Sequence, residues 1–291
     1  MVDIKRILVT GSRGQLGKEF HRASSSFPEY EWYFLDRSSL DITSDIAVKG
    51  VLENLDPDIC INCAAYTKVD NAESHREIAL AVNAEGPKIL AKQCEENNCR
   101  LIHFSTDYVY NIREQIPITE DSECAPLSFY GLSKLKGDQA IQSASIPWLI
   151  FRVSWLYSAF GSNFVKSMIK LGREKKEIKV VNDQIGSPTF AGDLVAAVMT
   201  SLRLNLKYWN EIYHFCNRGQ VSWFDFAQEI FRAKKYNCSL TPISSKEFGA
   251  PAIRPSWSVL STGKIEETTN IEVVNWEKSL KSCIEELTLL S

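Results

Sequence analysis

The chain has 291 residues, 44% of them hydrophobic, and a formal net charge of −3 with acids and bases interspersed. That is enough chain to bury one large core or two modest ones, and the charge balance excludes a nucleic-acid-binding face. No apolar run reaches the length of a bilayer span, and the start, MVDIKRILVTG, lacks the apolar region and cleavage site of a signal peptide, so a cytoplasmic protein without a membrane partner is expected.

In chain order, residues 4–10 read as a strand, followed by a glycine turn and a helix over 14–23. A strand at 32–36, a helix at 44–55 and a strand at 58–63 come next. A long helical stretch covers 75–97, then a strand 99–105, a helix beginning near 128 and a strand 148–154. Short apolar strands alternating with amphipathic helices predict an α/β fold: a Rossmann-type, doubly wound parallel sheet covered on both faces. After about residue 155 the rhythm loosens. Strands are predicted at 177–181 and 211–217, helices at 162–175, 192–205, 222–234 and 276–289, and a proline-rich loop at 241–256. The expected organisation is a dinucleotide-binding half over 1–150 and a smaller, mainly substrate-binding region over 151–291. Some of its strands and helices are expected to return to the first sheet. There are no repeats or low-complexity tracts.

The cysteines are scattered, and the one C-x-x-C, Cys60 and Cys63, lies in a predicted buried strand, where positions three apart point to opposite faces. Packed free thiols are the expected reading. Histidines 21, 75, 103 and 214 have no metal-ligand spacing, so ordinary core or surface roles are expected and no metal site is assigned.

TGSRGQLG places Gly11, Gly14 and Gly17 directly after the first strand, opening a helix. A tight turn, close backbone approach and a helix N-terminus are what a dinucleotide pyrophosphate requires. Asp36 ends the second predicted strand, nineteen residues beyond Gly17, where an acid would bind the adenosine ribose. Arg37 follows and could embrace a 2′-phosphate instead, so both NADH and NADPH stay open.

The fourth strand ends in STDYVY, with Ser105 and Thr106 at the edge where ligands bind in an open parallel sheet. Tyr130 follows on the next helix, with Lys134 one turn on. One Tyr-x-x-x-Lys among ten tyrosines is expected by chance about as often as not, but this one sits where the fold would use it. Hydride transfer to a ketone builds charge on its oxygen, which must be protonated. A phenol with pKa about 10 needs a neighbouring cation to serve near neutrality, and Lys134 would supply it while binding the nicotinamide ribose. Thr106 would orient the carbonyl. A solvated helix face with a strand-end cap is the bland alternative.

Together these residues resemble the extended short-chain dehydrogenase/reductase superfamily and, within it, the dTDP-4-dehydrorhamnose reductases. The similarity is carried by GSRGQLG at 11, SLDIT at 39, INCAAYTKVDNAE at 61, VNAEGP at 82, STDYVY at 105, YGLSKLKGD at 130, RVSWLY at 152, GSNFV at 161, VNDQIGSPT at 181 and RPSWSVLST at 254. The resemblance implies an oxidoreductase of dTDP-rhamnose biosynthesis. Such an enzyme reduces the 4-keto group of a nucleotide-diphospho-deoxysugar with NADPH or NADH. It implies Thr106, Tyr130 and Lys134 as the catalytic group. Around the cofactor it implies Gly11, Gly14, Gln15, Leu16, Asp36, Arg37, Asp41, Ile42, Ala64, Ala65, Tyr66, Tyr130 and Lys134. Near the sugar nucleotide it implies Val69, Thr106, Asp107, Tyr108, Trp155, Asn163 and Arg254. Trp155 would be an apolar wall for the deoxysugar and Arg254 a bidentate diphosphate partner; without the resemblance Trp155 reads as core.

Two departures stand out. Members usually read STDYVFDG where this chain has STDYVYNI. Some members are magnesium-bridged dimers; Glu19 fits one bridging position, but Gly192 falls where the second acid is expected, with Asp193 one place on. Monomer and homodimer both stay open. Of the rival activities, a nucleotide-sugar 4,6-dehydratase needs an Asp-Glu pair after the threonine, and here Asp107 is followed by Tyr108. An epimerase or another nucleotide-sugar reductase shares the glycine turn and the Tyr-Lys pair. A non-catalytic dinucleotide-binding regulator, similar to the regulatory subunit of methionine adenosyltransferase, also retains that pair. The sugar-site segments from Trp155 onward favour the reductase. Sugar stereochemistry and nucleotide base depend on pocket shape that sequence does not reveal.

Overall fold

A computed structural model describes residues 5–203 and 209–290 of the chain. The first position of the strand predicted at 4–10 and the last two of the helix predicted at 192–205 lie outside the described residues. The first half comprises β1 (Lys5–Thr10), α1 (Gln15–Ala23), β2 (Tyr30–Leu35), α2 (Asp45–Leu55), β3 (Ile59–Asn62), α3 (Val69–Ala72), α4 (Arg76–Leu80), α5 (Gly86–Glu96), β4 (Arg100–Thr106), α6 (Phe129–Gln142) and β5 (Trp148–Val153). The second half comprises β6 (Leu156–Tyr157), α7 (Phe164–Glu174), β7 (Glu177–Val181), β8 (Ile185–Gly186), β9 (Thr189–Phe190), α8 (Ala191–Arg203), β10 (Glu211–Phe215), β11 (Val221–Ser222), α9 (Trp223–Lys234), β12 (Ser239–Ile243), α10 (Ser245–Phe248), β13 (Trp257–Ser258), α11 (Gly263–Thr269) and α12 (Trp276–Leu289).

The main sheet has six strands in the order β10-β5-β4-β3-β1-β2, and every pairing in it is parallel. It is the Rossmann-type, doubly wound sheet that the alternating sequence predicts. Side chains alternate across it with the period of two that a strand imposes. Ile7 and Val9 join a core beneath α1 and α8 with Phe20 and Leu194, whereas Leu8 joins one beneath α2, α5 and α6 with Leu52, Leu90 and Ile141. Each fully buried aliphatic side chain contributes roughly 1.5–3 kcal/mol. Because both faces are covered, these strands read as continuous apolar runs. The chain runs from β1 outward to β2 and then back across to β3, so the sheet's switch point lies between the carboxyl ends of β1 and β3, where ligands bind in such sheets.

The helical stretch predicted over 75–97 is broken. Between α4 and α5 the chain widens into a π-helical turn at Ala81–Glu85. Pro87 supplies no N–H to the carbonyl four residues back, and its ring would strike that carbonyl in a regular helix, so the wider turn relieves the conflict. The turn presents Asn83, whose Oδ1 accepts from Tyr66 N at 2.8 Å and whose Nδ2 donates to Tyr66 O and Ser133 Oγ at 3.0 Å each. The loop after β3 is thereby tied to α6.

In the second half, β12 pairs with β7, while β11 and β13 flank β8. α7, α9 and α12 enclose an aromatic core containing Tyr157, Phe226 and Trp276. No described helix is long and apolar enough to cross a membrane.

Candidate active site

At the switch point, Gly11 has φ +62, and a Cβ there would come within 2.6 Å of Ala64 N. At Gly17 a Cβ would meet Gly11 O and Ser12 Cα at 2.6 Å, so the turn and α1 pack too closely for any side chain. α1 starts after Gly14 with no side-chain cap and no acidic residue in its first turn, which leaves its leading N–H groups for an anion. These residues fit a dinucleotide pyrophosphate.

A cleft of about 530 Å³ opens beside the turn. Of the residues expected around a cofactor, Gly11, Gly14, Asp36, Arg37, Asp41, Ile42, Ala64, Ala65 and Tyr66 line it. β2 ends at Leu35, so Asp36 stands just beyond the strand rather than closing it. Its Oδ1 accepts from Ser38 N at 2.8 Å and Ser38 Oγ at 2.5 Å, and its Oδ2 pairs with Arg13 Nε at 2.5 Å. The Ser38 hydroxyl chiefly, with two backbone N–H groups and Arg13, holds the Asp36 carboxyl below its ordinary value, while desolvation works the other way. Arg13, 81% exposed, was absent from the expected residues although it lies inside the glycine turn itself.

A second cleft of about 510 Å³ adjoins the first, and Gly14, Cys63 and Ala65 line both. Gln15, Leu16, Val69, Thr106, Asp107, Tyr108, Tyr130, Lys134, Trp155 and Asn163 come together here. Thr106 is the last residue of β4, and its Oγ1 donates to Asp107 Oδ1 at 3.0 Å and accepts from Tyr108 N at 3.2 Å. Ser128 caps α6 by accepting from Gly131 N at 3.1 Å, which starts the helix at Phe129 and sets Tyr130 and Lys134 on its cleft-facing side.

The electrostatics are those of a dry site. Burial pushes the Tyr130 phenol above its ordinary value, with a Thr106 hydrogen bond working the other way. Burial brings Lys134 down to about 8, opposed by the Asp138 carboxylate. Lys134 Nζ donates to Phe104 O at 2.7 Å and lies 3.0 Å from His103 Nε2. The expected lowering of the Tyr130 phenol by Lys134 therefore does not dominate here: desolvation does. Asp107, 2% exposed, is pushed up to about 6 by burial. One turn beyond Lys134, Asp138 Oδ2 accepts from Ser105 Oγ at 2.8 Å and Arg152 Nε at 3.1 Å. Arg152 Nη1 in turn donates to Tyr110 Oη at 2.6 Å, bracing β4, α6 and β5 together.

Trp155 has φ +47, a left-handed backbone that no sequence pattern announces. Its indole stacks on Trp223 at 3.5 Å between centroids and 9° between planes, and Trp223 lines the cleft as well. Trp223 was read only as the start of a helix; the stack with Trp155 reveals it. Asn163 caps α7 by accepting from Lys166 N at 3.1 Å and donates to Gln15 Oε1 at 2.8 Å, joining α7 to the start of α1. Arg254 is not among the residues lining either cleft. Its Nη2 donates to Asp70 Oδ2 at 2.8 Å, and Ala252 N donates to Asp70 Oδ1 at 3.2 Å, pinning the loop before β13 to α3.

The acids weighed for a magnesium bridge are engaged internally. Glu19 is buried, accepts from Ser158 Oγ at 2.6 Å and pairs with Arg22 at 2.6 Å. Asp193 Oδ2 accepts from Asn217 Nδ2 at 2.6 Å and Ser279 Oγ at 2.5 Å. Among the described residues no group of three or more His, Cys, Asp or Glu is arranged to hold a metal.

Comparison with known proteins gives the family. The family model described as "RmlD substrate binding domain" matches residues 5–289. A dTDP-4-dehydrorhamnose reductase of Sinorhizobium fredii is 37% identical over 98% of each chain. The crystal structure of a dTDP-4-dehydrorhamnose reductase from Bacillus anthracis in complex with NADP is 38% identical, with TM-score 0.93 over 97% of this chain and 99% of that one. A Clostridium acetobutylicum dTDP-4-dehydrorhamnose reductase structure gives 38% identity and TM-score 0.92 over the same shares. The chain belongs to the RmlD substrate binding domain family, the oxidoreductases that the resemblance of its motifs implied.

Proposed function

We propose that this protein reduces the 4-keto group of dTDP-4-dehydro-L-rhamnose to give dTDP-L-rhamnose. The observation that carries the reading is the convergence of Thr106, Tyr130 and Lys134 in one cleft that adjoins the glycine turn. A reduced nicotinamide supplies the hydride when bound. Tyr130, protonated throughout the working range because burial raises its phenol, gives its proton to the carbonyl oxygen as charge develops there. Thr106 donates a hydrogen bond that orients that oxygen, turning from Asp107 to do so. Trp155, backed by Trp223, gives the deoxysugar an apolar wall. Arg254 swings from Asp70 towards the diphosphate, a bidentate geometry that its guanidinium suits.

For the cofactor we favour NADPH over NADH. Asp36 Oδ1 already accepts from Ser38 and its Oδ2 is paired with Arg13, and Arg13 and Arg37 bring two cations to the same cleft. A carboxylate so occupied repels a 2′-phosphate less, and the guanidiniums attract one.

Oxidation of NADPH and of NADH is followed by absorbance with dTDP-4-dehydro-L-rhamnose, a UDP-linked 4-keto sugar and no sugar. The reading requires sugar-dependent oxidation that is faster with NADPH and with the dTDP sugar. Well-folded protein that oxidises neither cofactor overturns it.

A further inference from the structure

Behind Lys134 runs a buried chain of polar groups, one from each of four neighbouring elements. Thr10 Oγ1 donates to Asn62 Oδ1 at 2.7 Å, Asn62 Nδ2 lies 3.0 Å from His103 Nδ1, and His103 Nε2 lies 3.0 Å from Lys134 Nζ. All four residues are at most 2% exposed. Donor and acceptor counting fixes the protons along this chain. Ala64 N donates to Asn62 Oδ1 at 3.2 Å, and a backbone N–H can only donate, so the amide cannot turn over without setting Nδ2 against it. Asn62 Nδ2 then faces His103, and since it too can only donate, Nδ1 must be the bare nitrogen. A neutral imidazole with a bare Nδ1 carries its proton on Nε2, which points at Lys134 Nζ. An ammonium has no lone pair to receive it; an amine does, and still donates to Phe104 O.

We propose that His103, locked as its Nε2–H tautomer by Asn62, is a positioning residue that biases Lys134 towards the neutral, proton-accepting amine. The proposal deepens the catalytic reading of the Tyr130–Lys134 pair and rests on it. The other titratable groups around Lys134 are Tyr130 and Asp138 on α6, Arg152 on β5 paired with Asp138, Asp107 and Tyr108 in the turn after β4, and Cys63 after β3. Burial disfavours the ammonium and, of these groups, Asp138 favours it; the Nε2–H of His103, 3.0 Å from Lys134 Nζ, adds to the opposition. Lys134 is thus held near balance, able to exchange a proton close to neutrality where an ordinary lysine is not. Burial keeps His103 itself neutral, well below its usual protonation range, so it acts through its tautomer and not through its charge.

The test has two arms. Nitrogen-15 spectra of the histidine rings in the wild-type protein report which ring nitrogen carries the proton; His103 is expected with Nδ1 bare, and a protonated Nδ1 overturns the proposal whether or not the protein reduces any sugar. In the second arm the pH profile of kcat is recorded for wild type, His103→Gln and Asn62→Asp. The glutamine can offer its carbonyl to the ammonium, and the aspartate accepts from Nδ1–H and so reverses the tautomer. Each variant is expected to move the alkaline limb of the profile upward by about one pH unit. Folded variants that lose rate equally at every pH, with the limb unmoved, show a merely structural role and refute it. Should either variant fail to fold, the ring-nitrogen spectrum of the wild type decides alone.

Discussion

Replacing Asp107 by asparagine separates the stability of the site from its chemistry. The Asp107 carboxyl titrates at about 6 in the folded protein against an ordinary 3.8, because burial disfavours its ionised form. A raised folded value means that the native state holds this proton more tightly than the unfolded chain does. The stabilisation from that proton is fully present below the unfolded value and is lost as pH rises through the folded one. At pH 8 the ionised, buried carboxylate therefore costs about 3 kcal/mol relative to a group without the shift. Asparagine keeps the shape and an oxygen that accepts from Thr106 Oγ1, but not the charge. Asp107→Asn should stabilise the protein at pH 8 by roughly 1–3 kcal/mol, allowing about 1 kcal/mol for a weakened hydrogen bond. Near pH 4 the gain should vanish. Urea unfolding of both proteins at the two pH values measures the difference between the two gains. A gain at pH 4 equal to or larger than that at pH 8, or a loss confined to pH 8, would refute the reasoning. The variant should also reduce sugar more slowly, since Asp107 lines the cleft, which makes this a case of stability given up for function.

Asp138→Asn leaves Arg152 as a buried, unpaired guanidinium and should destabilise the fold by about 3–5 kcal/mol, read as a lower urea midpoint; a change under about 1 kcal/mol would contradict the bracing role of the pair. Arg13→Ala should raise the KM for NADPH about tenfold, one charge-assisted hydrogen bond's worth, and change that for NADH little; equal effects on both cofactors would remove Arg13 from 2′-phosphate recognition. Trp223→Ala removes the support beneath Trp155 and should weaken sugar-nucleotide binding about tenfold while cofactor affinity holds, as measured by titration calorimetry; unchanged sugar-nucleotide affinity would make the stack a core contact only.

The parallel sheet was readable because strands covered on both faces carry continuous apolar runs, and RILVT, ICIN and LIHFS have nothing else to be. Thr106, Tyr130 and Lys134 were readable because the end of a strand and one turn of helix are short-range geometry. What sequence did not reveal depends on contacts between distant residues or on unusual backbone. The π-helical turn at Ala81–Glu85 has the same apolar spacing as a regular helix, so periodicity ran straight through it to 97. Arg254 meets Asp70 across 184 residues, a pairing no local pattern encodes. The left-handed Trp155 carries no glycine or asparagine to mark it. His103 lies amid apolar neighbours in β4 and reads as an ordinary core histidine; only the ring nitrogens' partners show that it reaches Lys134.

The chemistry turns on Tyr130 as the proton donor in a ketone reduction. The decisive measurement is the turnover of Tyr130→Phe with NADPH and dTDP-4-dehydro-L-rhamnose, alongside its affinity for each. In this variant kcat should fall by about 10²–10⁴-fold while both affinities change little, because the ring stays and only the transferable proton is lost. A variant that turns over at the wild-type rate would contradict it.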